Sequence, residues 1–182
     1  KGKIIRPAEV GMLAALNLSD VAVYRRPRVA ILSTGDELVD IGGELAPGMI
    51  MNSNSYSLAA QVAECGAVAL RLGIARDTRK DLVSKFEAAR GADIIVTSGG
   101  VSVGDYDLVK DVMDDLGKMT FWKVAMRPGR PLAFGMIGGV PVFGLPGNPV
   151  SVMVSFEQFV RPAILKMSGF TTFFRPFVKA AL

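Results

Sequence analysis

Half of the 182 residues are apolar and about a fifth are charged, which suits one compact core, and no apolar run approaches the roughly 20 residues of a membrane-crossing helix. The net charge of +4 comes from basic residues that are scattered or gathered near glycine turns, without interleaved aromatics, which argues against a nucleic-acid partner. Histidine is absent and Cys65 is the single cysteine, so His-based catalytic triads, imidazole metal ligands and an internal disulfide are excluded. Any acid or base must therefore be a carboxylate, lysine, tyrosine or bound water. Cys65, in an apolar-rich helical stretch, reads as an inert core thiol of a protein from a reducing compartment, the cytoplasm.

The first seven residues lack the apolar stretch and cleavage site of a secretory signal and read as part of something longer. Pro7 near a first turn, with apolar Val10, Leu13, Ala14 and Leu16, predicts a helix over 7–17. The unbroken apolar run 29–34 predicts a strand buried on both faces. Strands and helices then alternate: helix 55–65, strand 68–75, helix 79–89, strand 93–97, and a helix capped by Asp105 or Asp107 that runs to Leu116. Residues 121–126, 131–136 and 140–145 read as strands, the last two forming a hairpin at Gly138-Gly139. Asn148-Pro149 caps and starts a final helix that Gly169 ends. This βαβ rhythm predicts an α/β fold of three layers, helices on both faces of a mostly parallel sheet that carries one β-hairpin. The expected organisation is an α/β domain over 27–170. Residues 1–26 would close a preceding domain or linker, and the Phe-rich tail 171–182 would open a truncated β domain.

Two glycine-rich turns, Ser98-Gly99-Gly100-Val101-Ser102 and Gly144-Leu145-Pro146-Gly147-Asn148-Pro149, each launch a helix from the end of an apolar strand. Backbone N–H groups and the helix dipole at such a turn favour an anion. Thr34-Gly35-Asp36-Glu37, Arg76-Asp77-Thr78 and Gly104-Asp105-Tyr106-Asp107 follow successive strands, so acidic residues share that rim. Anion-binding turns and carboxylates coexist best when a divalent cation bridges them. Each motif alone has a plainer reading: Asp77 as a helix cap, Pro146, Gly147 and Pro149 as a turn, Trp122 as core or interface packing, Asp114-Asp115 as a solvated helix face.

Four motifs carry a family resemblance: Ser33-Thr34-Gly35-Asp36-Glu37-Leu38, the Ser98 to Gly104 turn, Phe121-Trp122-Lys123-Val124-Ala125-Met126-Arg127-Pro128-Gly129-Arg130-Pro131, and the Gly144 to Ser151 turn. In this order and spacing the chain resembles the molybdopterin molybdenumtransferases of molybdenum cofactor biosynthesis, whose animal counterpart is the C-terminal half of gephyrin. The resemblance implies Mg²⁺-dependent insertion of molybdate into adenylylated molybdopterin, with release of AMP. It implies Glu37, Asp77 and Asp107 as metal-holding and catalytic carboxylates, and Lys123 and Arg127 as basic groups for molybdate or phosphate. Thr34, Gly35, Asp36, Ser98, Gly99, Gly100, Ser102, Arg130, Pro146, Gly147, Asn148 and Ser151 would contact the pterin nucleotide, several through backbone N–H groups. Arg127 and Arg130 stand where family members often carry lysine, which keeps the charge but replaces a point charge with a planar fork. Also implied are a homodimer in the cytoplasm and an adenylyltransferase partner of the same pathway, with no membrane partner. Two other readings share the scaffold: a pterin-holding module without chemistry, and the domain associated with nicotinamide-nucleotide amidohydrolases.

Overall fold

The computed structural model describes residues 2–101 and 108–176. A six-stranded sheet has the order β4-β1-β5-β8-β7-β6, with β1 Arg28–Thr34, β4 Val68–Ala75, β5 Ile94–Ser98, β6 Gly117–Lys123, β7 Pro131–Ile137 and β8 Val140–Leu145. β4, β1, β5 and β8 run parallel, whereas β7 is antiparallel to both β8 and β6. Two-residue strands β2 Leu38–Val39 and β3 Ile50–Met51 form a separate parallel pair.

Alternation along β1 explains the three layers. Val29 and Ile31 face a core with Ile94, Val96 and Leu145 under helices α2 Ser53–Glu64, α5 Pro149–Ser155 and α6 Arg161–Met167. Ala30 and Leu32 face the opposite core, where Leu82 and Phe86 of α3 Arg79–Ala88 meet Val109, Val112 and Met113 of α4 Leu108–Leu116. Six of the seven residues of β1 are buried, and Val29 to Leu32 give the unbroken apolar run of a strand covered on both faces. β1 leads into α2 on one face and β5 leads towards α4 on the other, which opens a crevice between their C-terminal ends, where α/β sheets bind ligands.

The differences from the sequence reading are local. The third-from-last strand spans Gly117–Lys123 rather than 121–126: its pairing with β7 runs from Gly117↔Ile137 to Lys123↔Pro131, and after a last bond from the Val124 N–H to the Arg130 carbonyl the chain turns, with the Met126 N–H donating back to the Val124 carbonyl. The expected hairpin at Gly138-Gly139 joins β7 to β8, and β6 adds a second antiparallel pair along the other edge of β7. Trp122 is 47% exposed and belongs to neither core. Cys65 is half-buried, packing on the margin of the α2 core, and burial pushes its thiol pKa up. The first helix, α1 Pro7–Ala15, buries none of its residues, and Asn17 at φ 56° stops it. The last helical stretch is continuous over 149–167, with a π segment Phe156–Val160 between α5 and α6. Residues 171–176 form no strand, Phe177 lies outside the described residues, and so does the Asp105 or Asp107 cap expected for α4.

Candidate active site

A cavity of about 450 Å³ opens at the C-terminal ends of the parallel strands. Its walls bring together Thr34 at the end of β1 with Gly35 and Glu37 just after it, Asp77 after β4, Gly99 and Gly100 after β5, and Pro146 and Gly147 after β8. These eight sequence-nominated residues come from four separate turns.

Glycine is required where the β1 and β5 ends nest. Gly99 has φ +92°, and a Cβ there would sit 2.8 Å from the carbonyl oxygen of Thr34. Beneath the floor, the buried hydroxyl of Ser98 donates to Ser33 Oγ at 3.2 Å, and Ser33 Oγ donates to Asn52 Oδ1 at 2.8 Å. Asn52 is also the N-cap of α2, accepting from the Ser55 N–H at 3.4 Å. Two residues further on, Asn54 donates to the carbonyl of Gly147 at 2.8 Å. Sequence reasoning did not nominate Asn52 or Asn54; an asparagine ahead of the periodic run Leu58, Val62 was the available signal for the cap.

Several backbone donors expected to face an anion have internal partners. The N–H of Gly99 donates to the Leu145 carbonyl at 3.1 Å, and those of Val150 and Ser151 donate to Asn148 Oδ1 at 3.1 and 3.3 Å. Asn148 is thereby occupied as the α5 cap, as its position before Pro149 suggested.

The acidic wall is built from two interlocked turns. Asp36 turns Oδ1 onto the N–H of Asp77 at 3.1 Å, while Glu37 and Asp77 line the cavity. A Cβ on Gly35 would fall 2.3 Å from Glu37 Oε2, so glycine lets this carboxylate fold back over the turn. Burial, then the neighbouring charges of Asp36 and Glu37, holds the carboxyl of Asp77 above its ordinary value. Two carboxylates whose charges oppose each other on one cavity wall are hard oxygen donors suited to a divalent cation. Among the described residues no cluster of three or more metal-ligating side chains gathers, and the third nominated carboxylate, Asp107, lies outside them, as does Ser102.

Across Pro131, a wall of the first cavity, lies a second cleft of about 640 Å³ lined by the loop from Val124 to Arg130 and by Ser151. Arg127, Arg130 and Ser151 are thus brought together in this basic cleft, separate from the acidic cavity. Lys123, at the exposed end of β6, is in the walls of neither.

An acidic cavity at a sheet switch point beside a basic cleft places this chain among open-sheet α/β domains, whose ligand crevice lies at the C-terminal strand ends. Residues 30–166 match the family model described as a probable molybdopterin binding domain, and the chain belongs to that family. It is 40% identical to the molybdopterin molybdenumtransferase of Haemophilus influenzae, over 93% of this chain and 42% of the relative. It is 47% identical to that of a Nostoc species, over 96% of this chain and 42% of the relative. A molybdopterin biosynthesis MoeA protein of Pyrococcus horikoshii superposes with a TM-score of 0.83 at 37% identity, covering 93% of this chain and 42% of that one. The chain spans less than half the length of these relatives. Among the described residues no helix is long and apolar enough to cross a membrane.

Proposed function

We propose that the chain is the pterin-nucleotide-binding portion of a molybdopterin molybdenumtransferase, which inserts molybdate into adenylylated molybdopterin and releases AMP. The observation that carries this reading is the adjacency of an acidic cavity, with Glu37 and Asp77, to a basic cleft, with Arg127 and Arg130, across Pro131. A ligand with a pyrophosphate link and a second, separate oxyanion needs two such environments side by side.

In this assignment Glu37 and Asp77, with Asp107, hold Mg²⁺, which when bound neutralises pyrophosphate oxygens. Thr34, Gly35, Gly99, Gly100, Pro146 and Gly147 shape the nucleotide cavity, with Ser98 and Asp36 supporting its floor and acidic wall. Arg127 and Arg130 bind molybdate through charged N–H donors, Ser151 lies beside them, and Lys123 adds positive charge from outside the cleft, at the end of the edge strand. The working enzyme is a cytoplasmic homodimer supplied by an adenylyltransferase.

Calorimetric titration of adenylylated molybdopterin, with and without Mg²⁺, tests the reading. Binding that requires the cation supports it; a folded sample that shows no binding in either condition overturns it.

A further inference from the structure

The acidic wall poses a mechanical problem. Asp36, Glu37 and Asp77 come from two different turns, and their negative charges oppose one another. The backbone holds the two turns together only at their root, where β1 pairs β4 up to Thr34↔Ala75 and the Gly35 N–H donates to the Ala75 carbonyl at 3.2 Å. The side chain that spans them is Arg76, which none of the roles above includes.

Arg76 is anchored first through its backbone. Its N–H donates to Asp81 Oδ2 at 2.7 Å, and its carbonyl accepts from the Thr78 N–H at 2.7 Å. Thr78 is the N-cap of α3, accepting from the Asp81 N–H at 3.3 Å, so the start of a helix fixes the position of Arg76. From there one guanidinium nitrogen, Nη1, donates to the carbonyl of Asp36 at 3.0 Å and to that of Leu38 at 3.2 Å. Those two residues flank Glu37. In return the carboxylate of Asp36 accepts from the N–H of Asp77, the residue next to Arg76. The bonds close a ring: the Arg76 side chain grips the turn that carries Glu37, and that turn grips the backbone of Asp77.

We propose that Arg76 is a positioning residue, which holds Glu37 and Asp77 together on the one wall where a divalent cation would bind. The proposal rests on the cation reading of that wall given above. Its physical content is geometric and not only electrostatic. A single planar guanidinium nitrogen serves two carbonyls in a fixed fork, whereas an ammonium supplies the same charge without that geometry. Groups that orient metal ligands from behind carry about 10- to 100-fold in metal affinity in well-studied sites.

Three versions of the chain separate the possibilities: the original, Arg76→Lys and Arg76→Gln. Each is titrated calorimetrically with Mg²⁺ alone, and amide hydrogen exchange at Asp77 is followed without metal. A positioning role predicts that both variants bind Mg²⁺ about tenfold more weakly. It also predicts faster exchange at Asp77, with melting temperatures that stay near that of the original chain. A purely electrostatic role predicts the opposite pattern, with Arg76→Lys unchanged and Arg76→Gln binding Mg²⁺ more tightly because a nearby positive charge is gone; that pattern overturns the proposal. Unchanged Asp77 exchange in both variants also overturns it, since the ring would then hold without Arg76. An original chain that binds no Mg²⁺ instead overturns the cation reading, and the exchange data still decide whether Arg76 fixes the turns.

Discussion

The side-chain amide of Asn54, in the first turn of α2, donates to the carbonyl of Gly147 in the turn that precedes α5, a contact across 93 residues of sequence. It locks the second glycine turn against the helix that leaves β1. Asn54→Ala is expected to cost about 1 kcal/mol, since water can reach the exposed Gly147 and replace part of the bond. The larger effect should be on the cavity wall at Pro146 and Gly147, read as severalfold weaker binding of the adenylylated pterin. Denaturant unfolding and calorimetry check both; unchanged values would make the contact incidental.

Much of the frame was legible in the sequence because each parallel strand is a short apolar run bounded by turn residues. The elements that were misplaced or missed follow a physical pattern. β6 begins at Gly117, ahead of a mixed polar and apolar stretch, because its partner β7 dictates the pairing and local pattern does not. β2 and β3, two residues each, are too short to show a period. Glu37, Asp77, Gly99 and Gly147 were nominated because they follow strands in an α/β rhythm. Asn54 and Arg76 were not, since their roles depend on carbonyls far along the chain.

Arg25 grips Asp93 through two guanidinium nitrogens, and Asp93 also accepts from the Arg28 N–H at 2.8 Å. The hydrogen-bonded Arg25 side chain is the main cause that lowers the Asp93 pKa. A lowered folded-state pKa contributes stability above the unfolded value, lost as pH falls through the folded one. Asp93→Asn should therefore cost about 1 kcal/mol at neutral pH, a modest figure because Arg25 is largely exposed. The difference from the original chain should shrink as pH falls below the ordinary aspartate range. Thermal melts of both proteins from pH 7 to pH 3 test this; a gap constant with pH would show that the carboxylate charge is not involved.

Asp77 has the opposite sign. Its pKa is raised, by burial first and by Asp36 and Glu37 next, so its charge opposes the folded state at neutral pH. Its stability contribution is most favourable below the ordinary aspartate pKa and declines as pH rises through the raised folded value. Asp77→Asn is expected to leave stability at pH 7 unchanged or slightly raised, the effect being small because Asp77 is exposed and its charge is screened by solvent, while weakening Mg²⁺-dependent ligand binding at least tenfold. A variant that melts lower and binds normally would remove Asp77 from the cation site.

Gly99→Ala would place a Cβ 2.8 Å from the Thr34 carbonyl at a φ of +92°. Both the contact and the backbone conformation are unfavourable, for a cost of about 2 kcal/mol. Because Thr34 and Gly99 are both walls of the cavity, the relaxation that relieves the clash should also impair nucleotide binding. An alanine variant with the original melting temperature would show that the turn adjusts freely.

The basic cleft allows its members to be ranked. Arg127 and Arg130 line it with Ser151, while Lys123 sits outside its walls at the end of β6. Two guanidinium groups lining one cleft act together on a bound oxyanion, whereas a single ammonium outside it acts at longer range and is screened first by salt. Arg127→Ala and Arg130→Ala should each reduce molybdate affinity by more than tenfold, and Lys123→Ala by only a few fold, with the Lys123 effect vanishing first as salt is raised. All three side chains are exposed and distant from the two cores, so melting temperatures should stay within a few degrees of the original. Isothermal titration with molybdate at low and moderate salt gives the order directly. If Lys123→Ala is the most damaging of the three, the oxyanion sits towards the edge strand, and the assignment of the cleft to molybdate fails.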